Sequence, residues 1–457
     1  MSDQRNLIIA IGLSLAILLG FQFFFEAPRQ EHMQKLADEQ AAEQARQTGQ
    51  GPDGSLIPTA PAQSGTPGAP GTAQTGSIPG APAIQAAPGA SRDAALRQSP
   101  RVPVNGPRLG GSIALKGGRI DDLTMLDYKA TIDEGSPAVT LFSPQGAPQP
   151  YFGQFGWVPI GELKVPDSDT VWQADHPSVQ PARPLTLSWD NGQGVRFIQV
   201  VEIDDNFMMT VTQRVENNST QAISTHPYGR IARTHTPNTL GFYILHEGPL
   251  AVFNETLKEV DYDDLQEGPA DATKSTGGWI GITDKYWLAA LIPDQKQPYT
   301  GTFRYSKPNK QDTYQADFMT QAPQLIAPGA TAQTVSHVFV GAKEVTLLDR
   351  YEEQLGIARF DLAVDFGWFY FLTKPLFFVL DYFFKMLGNF GLAILLLTVC
   401  VKAVFFPLAN KSYKSMSKMK ALQPEMTKLR ERHGDDRTKM NQEMMALYKR
   451  EKVNPAS

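Results

Sequence analysis

The sequence predicts a multi-domain membrane protein in which a large antiparallel β-sandwich lies between two transmembrane helices and a helical hairpin follows the second. Three observations lead to this fold class. The apolar residues of the 457-residue chain collect in two blocks, one at the N-terminus and one near the C-terminus. Between the blocks, short alternating segments are separated by Gly, Pro and Asp, which is typical of an antiparallel sandwich. After the second block, apolar residues recur every three or four positions, as in paired helices.

The first apolar block, Leu7 to Phe25, predicts an N-terminal transmembrane anchor over residues 1–28. Nineteen residues in a helix extend about 28 Å, which is enough to cross the hydrocarbon core of a bilayer. A cleaved signal peptide is the alternative, but its apolar stretch is shorter and ends at a small-x-small cleavage site. This block ends instead at Phe25-Glu26-Ala27-Pro28. We therefore expect the helix to remain as an anchor.

Residues 29–107 predict a polar stalk followed by a disordered tether. From Thr48 onward the segment consists largely of Gly, Pro, Ala, Ser, Thr and Gln, with few charges and almost no large apolar side chains. Such a segment cannot bury enough apolar surface to offset the entropy that it loses on ordering. We expect it to act as a flexible linker between the anchor and a folded domain.

Residues 108–345 predict a large antiparallel β-sandwich. Val195–Ile203 and Phe207–Val215 flank Asp204-Asp205-Asn206, a favourable hairpin turn. Apolar and polar side chains alternate along the second of these strands, so we expect one of its faces to be buried. The remaining predicted strands, and a helix leading back to the membrane, are Leu185–Trp189, Gly278–Ile282, Tyr286–Ile292, Thr302–Tyr305, Val335–Val340 and the helix Val345–Leu355.

The second apolar block divides into two helices. The connecting segment 346–387 ends in an aromatic stretch, Phe366–Leu387, which is interrupted by four side chains that suit hydrocarbon poorly: Lys374, Pro375, Asp381 and Lys385. Because a charge at the bilayer centre costs about 2.5–3.5 kcal/mol on insertion scales, an interfacial amphipathic helix is favoured there. Residues 388–409 then predict the second transmembrane helix, since Gly388–Pro407 extends about 30 Å.

Basic residues predict the orientation of these spans. Four lysines follow Pro407 with no acidic residue before Glu425: Lys411, Lys414, Lys418 and Lys420. By the positive-inside rule this end is cytoplasmic, so the N-terminus is also cytoplasmic and the sandwich lies outside. The same basic cytoplasmic face could attract anionic lipid or ribosomal RNA, and a count of charges does not separate these interpretations.

Residues 410–457 predict a cytoplasmic antiparallel helical hairpin with a thin apolar seam. The seam residues recur at helical spacing in both arms: Met416, Met419, Leu422, Met426 and Leu429 in the first, and Met440, Met444 and Leu447 in the second. Gly434 can end the first arm, and Asp435 or Asp436 can cap the second. Pro424 is a candidate for a kink in the first arm.

Lys402 is the residue in the second span that most needs an explanation. It lies on an otherwise apolar helix, five residues before Pro407. Its long side chain could snorkel to the cytoplasmic interface, which is the ordinary fate of such a lysine. Alternatively, it is a functional cation within the inner leaflet, and it then requires water or polar partners in a hydrophilic cavity open to the cytoplasm. The sequence leaves both interpretations open.

Catalytic and metal-binding motifs are absent from the sequence. The single cysteine, Cys400, excludes an intramolecular disulfide and is interpreted as a packing residue. No Cys/His cluster has zinc spacing, and there is no P-loop, nucleophile elbow or dinucleotide fingerprint. The acidic run Glu259–Asp264 lacks the glycine and terminal Glu of an EF-hand. We therefore expect no catalytic residue, metal or cofactor, and no catalytic spacing relates His226, His235, His246 and His337.

The stretch from Phe366 to Pro455 resembles the YidC family of membrane-protein insertases. The motifs that carry the resemblance are Gly367-Trp368, Lys374-Pro375-Leu376, Gly388-Asn389-Phe390-Gly391, Phe406-Pro407-Leu408, Leu422-Gln423-Pro424 and Lys452-Val453-Asn454-Pro455. The anchor, the tether and the β domain are similar to those of Gram-negative members, so the resemblance covers essentially the whole chain.

The resemblance implies an insertase and chaperone of the bacterial inner membrane, with a cytoplasmic N-terminus and a periplasmic β domain. Its partners would be nascent membrane proteins, components of the Sec translocase, the ribosome and the lipid bilayer, and not DNA. A hydrophilic groove open to the cytoplasm would shorten the polar path of a crossing segment, and Lys402 would attract the acidic residues of that segment. This activity breaks no covalent bond.

Two features depart from the pattern of the family. The groove cation of the family is usually arginine, whereas the matching position here is Lys402, which keeps the charge but lacks the planar guanidinium fork. Family members also continue past the first cytoplasmic hairpin into further spans. The end of this chain at Ser457 therefore suggests a truncation after that hairpin.

Two alternatives to insertion remain at the level of sequence. The first is a membrane-tethered periplasmic carbohydrate-binding or sugar-processing protein, because large β-sandwiches also occur in sugar mutarotases. It would require an acid–base pair in a cleft, and no such pair can be named. The second is a scaffold whose β domain binds translocase partners.

Overall fold

The computed structural model describes residues 91–451, apart from positions 134, 238, 240–244, 269–270, 368 and 433–436. The predicted anchor, the tether up to residue 90 and the turn of the hairpin at Gly434 to Asp436 lie outside the described residues. The described part contains two antiparallel sheets, followed by the helices that carry the chain away from them.

The first sheet has ten strands. Its main path follows the order β1-β2-β3-β5-β10-β17-β16-β13, with β4 added beside β3 and β18 beside β10. Its strands are β1 Arg101–Asn105, β2 Leu109–Ala114, β3 Arg119–Lys129, β4 Ala138–Phe142, β5 Tyr151–Ile160, β10 Ile223–Thr234, β13 Asp271–Thr276, β16 Pro298–Ser306, β17 Thr313–Thr320 and β18 Gln324–Ile326.

The second sheet has nine strands in the order β12-β11-β14-β15-β19-β9-β8-β7-β6. Every pairing along this path is antiparallel. Its strands are β6 Gln173–Ala174, β7 Leu185–Asp190, β8 Val195–Ile203, β9 Met208–Asn217, β11 Gly248–Phe253, β12 Thr256–Glu259, β14 Gly278–Thr283, β15 Trp287–Ile292 and β19 Thr331–Ala342.

One continuous hydrophobic core joins the two sheets, so the predicted antiparallel sandwich is confirmed. Most of the largest fully buried side chains are aromatic; Trp157, for example, is fully buried and packs edge-on against Phe197 from the other sheet, with ring centroids 5.1 Å apart. Buried amides also cross between the sheets, since Gln199 Nε2 donates to the carbonyl of Phe155 at 2.9 Å. A buried amide of this kind is tolerated because its donor is satisfied.

The predicted hairpin is present with nearly the predicted bounds. Val195 pairs with Asn217 and Ile203 with Met209. The carboxylate of Asp204 accepts the backbone N–H groups of Asn206, at 2.9 Å, and Met208, at 3.0 Å, which closes the turn. The helix predicted at Val345–Leu355 also has those bounds in the structure.

Both predicted boundaries of the β domain are wrong. Strand β1 and the short helix α1, Arg92–Leu96, lie in the segment predicted as tether. Val102 and Val104 of β1 are buried in the core, because β1 pairs with β2 along its whole length. The domain therefore begins before residue 101, not at residue 108.

At its other end the domain continues past residue 345. A short helix, α2, spans Tyr262–Glu267 within the domain, and α3 spans Val345–Leu355 after its last strand. Leu348 of α3 is fully buried in the sandwich core, and so is Phe360 of the following 3₁₀ turn, Phe360–Ala363. The segment predicted as a connector is thus part of the domain up to Ala363.

Three longer helices follow the domain: α4 Tyr370–Leu387, α5 Phe390–Arg432 and α6 Arg437–Arg450. Helices α4 and α5 are joined by Gly388, which ends α4 in the left-handed conformation with φ 66°. Glycine adopts this conformation without the steric penalty that a Cβ atom imposes. The chain can therefore turn sharply between the two helices.

The packing of Phe360 yields a testable prediction for the full-length protein. Phe360→Ala should lower the free energy of unfolding of the β domain by about 3–5 kcal/mol, because it removes a fully buried ring from between Trp279 and Phe339. Urea unfolding followed by tryptophan fluorescence measures the change. Phe369→Ala is the matched control, since that ring is 64% exposed and should change stability little. Equal effects of the two substitutions would contradict the core assignment.

Candidate functional site

Helix α4 lies where the interfacial helix was predicted, and many of its apolar side chains are exposed. None of its residues is buried, and Phe371 is 75% exposed. Asp381 and Lys385, one turn apart, form an ion pair with 2.6 Å between Oδ2 and Nζ. A helix that exposes aromatic side chains next to paired charges suits the boundary between headgroups and hydrocarbon.

Helix α5 is long and apolar enough to cross a membrane, and it is the one helix among the described residues that meets this test. Its first half exposes large apolar side chains such as Leu395, which is 63% exposed. Its 43 residues extend about 64 Å, twice the thickness of the hydrocarbon core. The helix continues through Pro407 and Pro424, so the predicted span 388–409 and the first hairpin arm form a single helix.

Lys402 lies on the exposed surface of α5. It is about 18 Å along the helix axis from Phe390. None of the ion pairs between described residues involves Lys402; those of the surrounding helices join other side chains. Cys400, two residues earlier, is half-buried and carries a free thiol. The structure therefore leaves the snorkelling and groove interpretations of Lys402 as they were.

The hairpin arms α5 and α6 pack through an apolar seam centred on Leu422 and Leu447, which are both buried. Met419, Met426 and Leu429 are partly buried against this pair, and Met440 and Met444 of the second arm are buried. At the rim of the seam, Arg450 Nη2 lies 3.0 Å from Glu425 Oε2.

One residue assigned to the seam lies outside it. Met416 is 61% exposed, so its predicted role in the seam is wrong for this structure. Within the described residues, the second arm has 14 residues and ends at Arg450 beside Glu425. Met416 lies about two and a half turns before Glu425 on α5, beyond the reach of that arm.

The four lysines that follow Pro407 are exposed but do not share one face of the helix. Lys411, Lys414 and Lys418 are separated by three and four residues, so they project from the same side of α5. Lys420 follows Lys411 by nine residues, a rotation of about 180°, and therefore lies on the opposite side. The predicted basic face consists of the first three.

Sequence reasoning missed a polar joint between α4 and the β domain. Lys374 Nζ lies 3.1 Å from Asp361 Oδ2 and 3.2 Å from Asp349 Oδ1. Tyr370, one turn earlier on α4, donates its hydroxyl to the same carboxylate of Asp361. The Lys374 side chain is 18% exposed and that of Asp361 is 7% exposed. We call Lys374, Tyr370, Asp349 and Asp361 the joint; the signal for it was the lysine that interrupts the aromatic run.

The joint is electrostatically satisfied. Burial opposes the charge of Asp361, but hydrogen bonds from Tyr370 and Lys374 outweigh it and hold the pKa of this carboxyl below its usual value. Burial likewise opposes the charge of Lys374, but its bonds to Tyr370, Asp361 and Asp349 raise the pKa of the ammonium group. Lysine and aspartate are therefore both ionised at neutral pH.

Three histidines of the β domain make hydrogen bonds within the fold. His226 Nδ1 is 2.8 Å from the carbonyl of Thr320, and His246 Nε2 is 3.0 Å from that of Pro249. His337 Nδ1 is 2.9 Å from Thr210 Oγ1, and burial lowers the pKa of this imidazole. Across residues 91–451 as described, no three His, Cys, Asp or Glu side chains are grouped closely enough to hold a metal ion.

These features point to a membrane protein with a large β domain, which α4 joins to a helix that is long and apolar enough to cross a bilayer. Two family models match the chain: the YidC periplasmic domain over residues 101–379, and the 60Kd inner membrane protein over residues 382–457. The chain belongs to the YidC family of membrane protein insertases, which is a family of inner-membrane proteins and not of enzymes.

Curated relatives support this assignment over the entire chain. The membrane protein insertase YidC of Methylobacterium radiotolerans is 45% identical over 100% of this chain and 74% of its own length. That of Granulibacter bethesdensis is 42% identical over 100% of this chain and 75% of its own. Among solved structures, a galactose mutarotase related enzyme from Lactobacillus acidophilus is 8% identical with a TM-score of 0.38, covering 53% of this chain and 97% of that one. That similarity is too weak to bear on activity.

The hairpin seam yields a second prediction. Replacing Leu422 and Leu447 together with Ala should raise amide hydrogen exchange across Arg437–Arg450 by at least about tenfold, because each buried leucine contributes roughly 2 kcal/mol or more to packing. Hydrogen exchange followed by mass spectrometry on the full-length protein measures it. Met416→Ala serves as the control and should leave exchange in that segment unchanged, since Met416 is exposed. A comparable increase with Met416→Ala would show that the seam is misplaced.

Proposed function

We propose that this protein inserts nascent inner-membrane proteins into the bilayer and helps them to fold, alone or with the Sec translocase. The observation that carries the proposal is the identity of 41–46% to proteins named membrane protein insertase YidC over the full length of this chain. In the proposed orientation the N-terminus and the hairpin are cytoplasmic and the β domain is periplasmic, which the exposed lysines after Pro407 support.

The physical task of an insertase is to lower the cost of moving a polar flank through hydrocarbon. An apolar client helix gains free energy once it is inserted, but its flank must cross first, at a cost of several kcal/mol when charged. A hydrated groove that is open to the cytoplasm and to lipid shortens this path. No bond is made or broken, so the groove needs polar walls and a cation rather than a cofactor.

Lys402 is our candidate for that cation. It lies on the exposed surface of α5, within the segment that would cross the membrane, and it has no described carboxylate as an ion-pair partner. A lysine in this position can attract an acidic residue of a client, because the attraction between opposite charges is strong where water is scarce. The hairpin would then meet clients or the ribosome on the cytoplasmic side, with Lys411, Lys414 and Lys418 facing RNA or anionic lipid.

The alternative of a carbohydrate-processing protein has little support. His226, His246 and His337 are engaged in hydrogen bonds within the fold. A catalytic acid–base pair should instead face a cleft with a free functional group. Depletion of the protein separates the scaffold alternative from insertion. Loss of an insertase leaves small membrane proteins uninserted, whereas loss of a scaffold does not.

Substitution of Lys402 in the full-length protein tests the proposal. Lys402→Leu should reduce insertion of a client whose crossing segment carries Asp or Glu by at least about tenfold, equivalent to about 1.4 kcal/mol. Lys402→Arg should retain insertion, because both side chains present a cation. Protease protection of one client, with its acidic residues present or neutralised, measures the effect in each background.

The control is Lys420→Leu, which makes the same change on the cytoplasmic arm and should leave insertion nearly unchanged. The neutralised client should also be little affected by Lys402→Leu. If Lys402→Leu inserts both clients as well as the parent does, Lys402 is a snorkelling lysine, because an apolar residue is then harmless at that depth.

A further inference from the structure

We propose that Lys374 is a positioning residue: it fastens the first turn of the interfacial helix to the base of the β domain, so that domain and helix move as one body at the membrane surface. The inference goes beyond insertion, since it concerns how a periplasmic domain is held relative to the bilayer. It rests on three independent features of residues 349–375.

The first feature is the rigidity of the two acids on the domain side. Asp361 follows Phe360, whose ring is fully buried between Trp279 and Phe339, with centroid distances of 5.6 and 5.5 Å. Asp349 follows Leu348, which is also fully buried in the sandwich core. Both carboxylates are thus fixed to the core through the residue immediately before them.

The second feature is a further set of bonds that hold Asp361 in place. Its backbone N–H donates to Glu352 Oε2 at 2.9 Å. Its other carboxylate oxygen, Oδ1, accepts Arg359 Nε at 3.3 Å. Oδ2 is then left to face α4, where it accepts Tyr370 and Lys374. The carboxylate is oriented by its own domain before the helix contacts it, so little ordering entropy remains to be lost when the joint forms.

The third feature is the position of Pro375, directly after Lys374. Proline has no N–H to donate to the carbonyl four residues earlier, and its ring crowds that carbonyl, so the helix is weakened at this point. The turn Tyr370–Lys374 is therefore less firmly held by the rest of α4 than an ordinary helical turn. Its attachment to the domain must come from elsewhere, and Lys374 and Tyr370 are its polar links to Asp349 and Asp361.

Lys374 is the central residue of the joint because it carries the positive charge that pairs with both carboxylates. Among the described residues, the ion pairs between α4 and the β domain are those that Lys374 makes. The remaining ion pair of α4, between Asp381 and Lys385, stays within the helix. Loss of the Lys374 charge removes the described ion-pair partner of Asp349 and leaves Asp361 with Arg359 alone, so the two neighbouring carboxylates repel each other.

The experiment measures the joint without using insertion as its readout. In the full-length protein, Cys400 is replaced by Ala, and Tyr286→Cys and Met386→Cys are introduced on the exposed surfaces of the domain and of α4. Spin labels at the two positions report the distribution of distances in lipid nanodiscs. We expect a narrow distribution for the parent, a clearly broader one for Lys374→Met, and recovery of the narrow one with Lys374→Arg.

Lys385→Met is the matched control, because it removes the other charged lysine of α4 without touching the domain. It should leave the distribution narrow. Hydrogen exchange of Leu372 and Thr373, whose amides bond to the carbonyl of Phe369 at 2.8 and 2.9 Å, should accelerate by about tenfold in Lys374→Met only. Unchanged urea unfolding of the β domain in Lys374→Met confirms that the domain itself is intact.

Three results would overturn the proposal. They are a narrow distribution in Lys374→Met, a failure of Lys374→Arg to restore it, or an equal broadening in Lys385→Met. None of them depends on whether the protein inserts clients. Because the measurement is geometric, failure of the joint and failure of the insertase assignment are separable.

Discussion

Burial of Phe360 is the contact on which the route of the chain into the membrane depends. The indole N–H of Trp279 donates to the carbonyl of Arg359 at 3.3 Å, and Arg359 adopts the left-handed conformation with φ 52°. The chain is thereby turned so that the ring of Phe360 enters the core while the buried carboxylate of Asp361 faces α4. The burial of this ring therefore fixes where the chain leaves the β domain and where α4 begins.

Apolar side chains are mostly buried in the β domain, but many of them are exposed on the helices that follow it. In the sandwich they are buried because water surrounds the domain, and the core contains leucine, valine and aromatic rings from both sheets. On α5 the same residue types face outward, since a bilayer offers no water to escape from and requires only that the backbone bond to itself. A helix satisfies that requirement without a partner. This explains how the first half of α5 can expose most of its large apolar side chains.

Elements were predicted correctly from the sequence where one local pattern, such as alternation, was uninterrupted. They were missed where neighbouring composition or a distant part of the chain decides the structure. The hairpin at Asp204–Asn206 and the helix Val345–Leu355 were found because alternation or helical periodicity is uninterrupted there. Strand β1 was missed because Arg101-Val102-Pro103-Val104 follows a long Pro-rich segment, and its strand character depends on pairing with β2. Met416 fits the heptad-like spacing of the seam, but spacing along one arm cannot reveal where the opposite arm ends.

The different surroundings of Lys374 and Lys402 could not be predicted from the sequence either. Both are lysines in largely apolar helical segments, and at the level of sequence both were interpreted by the cost of placing a charge in the bilayer. The structure separates them, because Lys374 contacts two carboxylates fixed to a protein core, whereas Lys402 projects from α5 without a described acidic partner. An ion pair supplied by the fold makes a lysine an attachment point. A cation without such a pair must be stabilised by water, by lipid headgroups or by an acidic segment that moves past it. In an insertase, that acidic segment would belong to the client protein.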